Sequence, residues 1–381
     1  MDSLQKQFEK SLTISKKERY PDVYIYGTKA KHIAGGGDAE VFSVHLDNNL
    51  VAVKRYAIDA RKEYQNELYF LNEFRGSSFI VQMLSNFEDK LYLYITMELC
   101  GLSVSKYLRQ LSKDDKAIDP FVANRIIFCM FAGLDIIHIH EVIHGDIKPG
   151  NLIFDGDSIK IIDFCTAERV SFVKPKYVGT LLYTAPEILI ESMYNTKADI
   201  WSAAISMFEV LTCELLFDAH NECNFEYGEQ LPELSDESDS SEMDDEQKDD
   251  EEGELKDGVD DSVSDSASDS ANNSSDQSDI DEDTEYKIIY RLLYLQEKLL
   301  GPPPSMFTFW APRFYNSDGR LKDTPQTVYM CLREFINANF GEKAQRDYIT
   351  ADVIDILIKC LQFTHNDRPT AGQVLKSPYF Q

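Results

Sequence analysis

The chain has 381 residues, 43% of them apolar, and a formal net charge of -28, enough for one large two-lobed unit or two domains with a sizeable core. Its 7 cysteines are scattered and form no CxxC pair, which suggests neither a disulfide framework nor a zinc site and points to a reducing compartment. The charge is local: residues 219–285 hold 27 acids and 2 lysines, so the remainder is close to neutral.

Residues 1–23 read as a polar N-terminal extension, with no basic start and apolar run of a secretory leader. Ala34-Gly35-Gly36-Gly37-Asp38-Ala39-Glu40-Val41 follows, its three consecutive glycines permitting positive φ and close backbone approach. Val51-Ala52-Val53-Lys54 is a short apolar strand ending in lysine. Glu67, thirteen residues on, lies in a helical pattern from Glu63 to Phe74 that includes Tyr64, Leu68 and Leu71. Leu91 to Met97 reads as an apolar strand that runs into a connector, Glu98-Leu99-Cys100-Gly101.

Phe121 to His140 carries Ile126, Ile127, Met130, Leu134 and Ile137 at helical intervals and predicts a buried helix. Asn124, Arg125, Asp135, His138 and His140 interrupt it, so it reads as falling short of a membrane span and the protein as soluble. The helix feeds His144-Gly145-Asp146-Ile147-Lys148-Pro149-Gly150-Asn151. Two short strands come next, Leu152-Ile153-Phe154 and Ile159-Lys160-Ile161-Ile162, joined by a turn at Asp155-Gly156-Asp157 and followed by Asp163-Phe164-Cys165. Phosphoryl transfer is mainly positioning plus charge stabilisation, and each residue type here has a definable job in it. Asp146 can accept a hydroxyl proton, Lys148 can neutralise a moving phosphoryl group, and Asn151 with Asp163 offers hard oxygen ligands for Mg²⁺.

The acidic stretch, bounded here at Glu222 and Thr284, is dense in serine and has no aromatic residue after Tyr227. It cannot bury enough apolar surface to offset its ordering entropy, so a disordered insert is expected. It reads either as a solvated spacer, as a screen over a basic groove, or as a binder of a basic partner. Ser235, Ser238, Ser240, Ser241, Ser264, Ser266 and Ser268, flanked by acids, suit an acid-directed kinase.

Together these motifs resemble the eukaryotic protein kinase domain, from about Tyr24 to Phe380 apart from the acidic insert. The resemblance implies an α+β, bilobal fold: a small, mainly antiparallel N-lobe with one key helix (24–98) and a larger, mainly helical C-lobe in two parts (99–221 and 285–381). It implies ATP and Mg²⁺ as cofactors. Lys54, paired to Glu67, would hold the α- and β-phosphates. Ile33, Ala34, Gly35, Gly36 and Gly37 would belong to the phosphate-covering loop, which departs from G-x-G-x-x-G-x-V by alanine at its first and third glycines. Met97 would guard the back of the adenine pocket, the backbone of Glu98, Leu99 and Cys100 would bond the adenine edge, and Val41, Ala52 and Ile153 would cover its faces. Asp146, Lys148 and Asn151 would be catalytic, and Asn151 and Asp163 would hold metal. Gly179-Thr180 and Ala185-Pro186-Glu187 resemble the end of the activation segment, Arg368 the arginine that pairs with that glutamate, and Asp199-Ile200-Trp201-Ser202 the start of the central helix.

Tyr194 to Ser202, Phe208-Glu209, Leu216-Phe217 and Phe314 to Leu321 are similar to the CMGC group and most like SR-protein kinases, with Pro302 to Asp323 as the group's insertion. That resemblance implies a serine/threonine kinase whose protein substrates are basic and arginine-serine-rich, steered by Glu214 and Asp218. It implies no direct nucleic-acid binding, no membrane, and a cytoplasmic and/or nuclear location. Four departures stand out. Gly145 replaces the arginine that binds a phosphorylated activation residue, which implies activity without that phosphate. Cys165 replaces the glycine of Asp-Phe-Gly, restricting φ, and is either a reactive thiol or a buried inert one. Thr184 replaces an arginine usual in CMGC kinases, and Asp38 puts a carboxylate at the tip of the phosphate loop. The rival readings are a pseudokinase scaffold, a CMGC kinase of another subfamily, and a binding module built on the acidic insert.

Overall fold

The computed structural model describes residues 23–35, 39–47, 49–218, 282–322, 329–340 and 348–381. Gly36, Gly37, Asp38 and nearly all of the acidic stretch lie outside the described residues.

In the N-terminal part a hairpin of β1 (Tyr24–Ile25) and β2 (Thr28–Lys29) precedes a sheet made of β3 (Lys31–Gly35), β4 (Ala39–Leu46), β5 (Asn49–Ala57), β6 (Met83–Glu88) and β7 (Tyr92–Glu98). All neighbours are antiparallel and the order is β3-β4-β5-β7-β6. Strand alternation splits the apolar residues between two faces. Val51 and Val53 join Ile25, Phe42, Val44 and Tyr94 on one side. Tyr56, Leu93, Ile95 and Met97 pack on the other, where α1 (Arg61–Glu73) supplies Tyr64, Phe70 and Leu71. Lys54 belongs to this second face and so points toward α1. The strand expected to end at Lys54 runs on to Ala57, which puts Tyr56 beside the lysine.

The C-terminal part holds α2 (Val104–Lys113), α3 (Pro120–Ile139), β8 (Val142–Ile143), β9 (Leu152–Asp155), β10 (Ser158–Ile161), β11 (Glu168–Arg169), α4 (Pro186–Leu189) and α5 (Lys197–Thr212). After the undescribed stretch come α6 (Glu282–Leu300), α7 (Ser305–Trp310), α8 (Leu332–Phe340), α9 (Ala351–Cys360) and α10 (Ala371–Val374). The α6 backbone is helical from Glu282, ahead of the Thr284 bound read from composition. Asp119 caps α3 by accepting the N–H groups of Phe121 and Val122, with Pro120 at the first helical position. Contrary to the reading above, α3 is long and apolar enough to cross a membrane by length and composition. Its composition has another cause: Ile126, Ile127, Met130, Phe131, Leu134 and Ile137 are buried in the C-lobe core.

Two buried charges tie this lobe together. Arg368 donates two parallel bonds to Glu187, at 2.6 and 2.7 Å, and its guanidinium lies 5.0 Å from the centre of the Trp201 ring. This fork geometry is the strong form of an ion pair. It clamps the start of α4 to the chain between α9 and α10.

Candidate active site

The catalytic loop leaves β8 and closes in a short 3₁₀ turn at Pro149–Asn151. It hangs from Asp199 in the first turn of α5, whose carboxylate accepts the backbone N–H groups of His144 and Gly145, both at 2.9 Å. His138 Nε2 approaches the same carboxylate at 2.9 Å. Burial opposes ionisation of Asp199, yet the hydrogen bond and charge of His138 prevail and its pKa is lowered. Gly145 has φ 81° and Gly179 φ 94°, a region side chains resist. A Cβ on Gly179 would stand 2.5 Å from the Gly145 carbonyl oxygen, and one on Gly145 would stand 3.2 Å from the Thr166 oxygen. Gly145 is therefore more than a missing arginine: the two glycines let the activation segment lie directly on the loop.

Asp146 is engaged through both oxygens. Thr180 Oγ1 donates to Oδ1 at 2.7 Å, while Asn151 Nδ2 donates to Oδ2 at 2.8 Å. Lys148 Nζ lies 2.9 Å from Asp146 Oδ2 and donates to Thr180 Oγ1 at 2.6 Å. Asn151 Nδ2 also donates to the Asp146 carbonyl at 2.8 Å, which turns the amide oxygen of Asn151 the other way as a hard ligand.

From β5, Lys54 Nζ reaches Glu67 Oε2 on α1 and Asp163 Oδ1, both at 2.9 Å. Burial alone would lower the lysine pKa, but the two carboxylates raise it well above its ordinary value. Asp163 is the mirror case: burial pushes its pKa up, Lys54 outweighs that, and the carboxyl is held far below the usual range. The left-handed backbone at this motif falls on Asp163, φ 70°, and not on Cys165. Cys165 itself needs no positive φ in this conformation. The Cys165 thiol donates to Asp163, and burial followed by the charge of Asp163 drives its pKa up.

Helix α1 is docked onto this segment. Asn66 Nδ2 donates to the carbonyls of Cys165 and Ala167 at 2.9 and 2.7 Å. Phe164 sits between Phe74, at 5.5 Å between ring centres, and His144, at 4.9 Å.

The remaining predicted residues surround the cleft between the lobes. Ala52 pairs with Met97 across β5 and β7, both buried. Val41 on β4 and Ile153 on β9 are half-buried. The Glu98 N–H is committed to the Gln82 carbonyl at 3.1 Å and that of Gly101 to the Phe154 carbonyl at 2.6 Å, which anchors the two ends of the connector. Glu98, Cys100 and Asp155 lie close enough to share a metal ion. A cation is already there, since Lys160 Nζ meets Glu98 at 2.6 Å and Asp155 at 2.8 Å. Burial, then the charge of Glu98, pushes the Cys100 thiol up to about 12. Ile33, Ala34 and Gly35 lie on β3, where the Ile33 carbonyl accepts from Lys106 Nζ at 3.3 Å. Glu214 is exposed in the turn after α5, and Asp218 is half-buried at the last described position before 219–281.

Neither Asn66 nor Tyr56 shows its role in the residue pattern, because both act through contacts with distant positions. Glu209 stands out in sequence only as part of a motif, yet the Tyr183 hydroxyl donates to it, and burial pushes its carboxyl up to about 7.

The donor set fits a nucleoside triphosphate with a divalent cation. Ionised Asp163 and the Asn151 amide supply hard oxygens, Lys54 supplies a phosphate-directed cation, and Ala52 and Met97 form an apolar wall. A sequence model of the protein kinase domain matches residues 28–380. A probable serine/threonine-protein kinase of Encephalitozoon cuniculi is 31% identical over 169 residues, which are 43% of this chain and 31% of that protein. The cGMP-dependent protein kinase 2 of Mus musculus is 28% identical over 189 residues, 47% of this chain and 24% of its own length. The dual specificity protein kinase TTK of Mus musculus is 28% identical over 201 residues, with coverage of 47% and 23%. The chain thus spans less than a third of the length of these curated relatives. A crystallised kinase domain shares the fold at a TM-score of 0.68 and 14% identity, over 97% of this chain and 98% of its own.

Proposed function

The chain belongs to the protein kinase domain family, and from that premise we propose that it transfers the γ-phosphate of ATP to serine or threonine hydroxyls of proteins. The observation that carries this reading is the closed set Asp146, Lys148 and Thr180, in which one carboxylate, one ammonium and one hydroxyl meet within hydrogen-bond distance. When bound, Mg-ATP supplies the phosphoryl group and much of the charge neutralisation. Asp146 accepts the proton of the incoming hydroxyl, with Asn151 and Thr180 fixing its two oxygens. Lys148 neutralises charge where the phosphoryl group moves. Lys54, steadied by Glu67, orients the phosphates, and Asp163 and Asn151 hold metal.

Its substrates, in this reading, are basic and arginine-serine-rich, as in SR-protein kinases of the CMGC group. Support comes from the acids beyond the catalytic loop: Glu209, beside Tyr183, with Glu214 and Asp218 further along. An arginine approaching Glu209 would hold it ionised and form a charge-assisted bond. The acidic stretch is a second site for a basic partner.

Activity in this reading needs no phosphate on the activation segment. Gly145 offers no cation for one, and the segment carries its own anion: Glu168 accepts the Tyr194 hydroxyl and pairs with Lys176 at 3.3 Å. Arg169 is engaged elsewhere, bonding Glu73 at 2.6 Å and the Tyr69 hydroxyl at 2.9 Å on α1.

The test is Mg-ATP transfer by wild type and Asp146→Asn to two peptides of equal charge, one with arginine-serine repeats and one with the same residues scrambled. Labelling that favours the repeat and disappears in the variant is the expected result. Equal labelling of both peptides would remove the substrate assignment, and no labelling by wild type would remove the activity.

A further inference from the structure

Tyr56 follows Lys54 by two positions on β5, so side-chain alternation points both toward α1. It is fully buried. Its hydroxyl donates to Glu67 Oε2, the same oxygen that Lys54 Nζ approaches at 2.9 Å. The Lys54 ammonium also lies 5.2 Å from the centre of the Tyr56 ring, within the roughly 6 Å over which a ring face attracts a cation. The ring in turn meets Tyr64 edge-on at 5.9 Å. Tyr64 is one turn ahead of Glu67 on α1, and its hydroxyl accepts from Asn86 Nδ2 at 3.1 Å.

We infer that Tyr56 is a positioning residue for the Lys54–Glu67 pair: it touches both partners, fixes the carboxylate of one and the ammonium of the other, and holds them assembled before nucleotide arrives. The use of that pair on phosphates rests on the kinase reading above.

The physical case turns on competition. Lys54 has two carboxylates within reach at the same 2.9 Å, Glu67 and Asp163. Only the first leaves Asp163 free to hold a metal. A glutamate head on a flexible stem, bonded to lysine alone, is a weak competitor. The Tyr56 hydroxyl gives that head a second, rigid donor, because the phenol is locked in the core and brings little conformational freedom of its own. Burial, then the charge of Glu67, raises the phenol pKa far above its ordinary value, so the hydroxyl remains a donor. A tyrosine in a strand ordinarily reads as packing, and only the bond to Glu67 marks this one as different.

Tyr56→Phe keeps the ring and removes the hydroxyl alone. Two quantities are read: the dissociation constant of a fluorescent ATP analogue, which requires no turnover, and steady-state kinetics with an arginine-serine peptide. The expected result is a rise of about tenfold in both the dissociation constant and the KM for ATP, the effect of losing one hydrogen bond to a charged group. The KM for peptide should stay at its wild-type value, while the thermal midpoint falls modestly because buried Glu67 loses one donor. In a Glu67→Ala background, which leaves no acceptor at that position, the same substitution should add less than about twofold. Wild-type nucleotide affinity in Tyr56→Phe overturns the inference, as does a tenfold loss that persists undiminished beside Glu67→Ala. Wild-type protein that binds nucleotide but labels no peptide would fail the kinase reading, while the binding arm still decides the role of Tyr56.

Discussion

The catalytic loop hangs from groups that belong to the C-lobe core, whereas Lys54 and Glu67 meet between a strand and a helix of the N-lobe that are tied to each other mainly through side chains. Asp199 grips backbone N–H groups of His144 and Gly145, and the Arg368–Glu187 fork sits a few elements away. On the other side, α1 is held by Tyr56, Lys54 and the Asn66 bonds to the Cys165 and Ala167 carbonyls. The difference teaches where function and stability separate. Damage to a C-lobe anchor removes a buried charge's partner and should cost fold and activity together. Damage to the N-lobe pair should cost nucleotide affinity first.

Asp146→Asn draws the line most sharply, because in the proposed reaction Asp146 acts on the substrate rather than as an anchor. Turnover should fall by about 10²–10⁴-fold, the usual worth of a positioned general base, while nucleotide affinity and thermal midpoint stay unchanged. A parallel loss of nucleotide affinity would show that the two halves are not independent.

Arg368→Ala should have the largest effect on the fold. It leaves Glu187 buried at 3% exposure without its cation, a loss of about 3–5 kcal/mol, readable as a lower urea midpoint. Unchanged stability would mean that α4 does not depend on the fork. Gly145→Arg restores the residue usual in this motif and should still do harm. At φ 81° a side chain costs about 1–2 kcal/mol, and its Cβ presses on the Thr166 carbonyl. Activity should drop, and higher activity would refute the view that this glycine is needed for contact with the activation segment.

Much of the site was legible because phosphoryl transfer fixes residue types at short spacing. Asp146, Lys148 and Asn151 lie on one loop, and Asp163 leaves a hairpin whose strands and turn were readable from Leu152 to Ile162. The buried helix from Phe121 to His140 appeared as α3, shifted by one residue because Asp119 caps it and Pro120 starts it. What stayed hidden depends on contacts between residues distant in the chain. Asp199 is 55 residues from His144, so its grip on the loop leaves no local pattern. Tyr56 was invisible as long as β5 was read as stopping at Lys54. The positive φ of this motif falls on Asp163 and not on Cys165, a backbone feature that residue types alone do not display.

Glu209 supplies the smallest effect and the one that tests whether the C-lobe also contains a soft, titrating element among its fixed charges. Its carboxyl moves from an ordinary 4.5 to about 7, chiefly by burial, against the opposing hydrogen bond of Tyr183 and charge of Arg109. Below pH 4.5 both folded and unfolded states carry the proton. Between 4.5 and about 7 the folded state keeps it and the unfolded state does not, so this contribution to stability falls as pH rises through the window and is gone above it. Glu209→Gln should remove that slope. The kinetic consequence has the opposite sign: only the ionised carboxylate attracts arginine, so kcat/KM for an arginine-serine peptide should rise toward pH 7 by up to about tenfold per pH unit, the slope of one proton. The rise should vanish in Glu209→Gln and be weaker for a peptide with lysine in place of arginine, which lacks the planar fork. An identical pH profile in wild type and variant would assign Glu209 to holding Tyr183 alone and remove it from the proposed recognition of arginine.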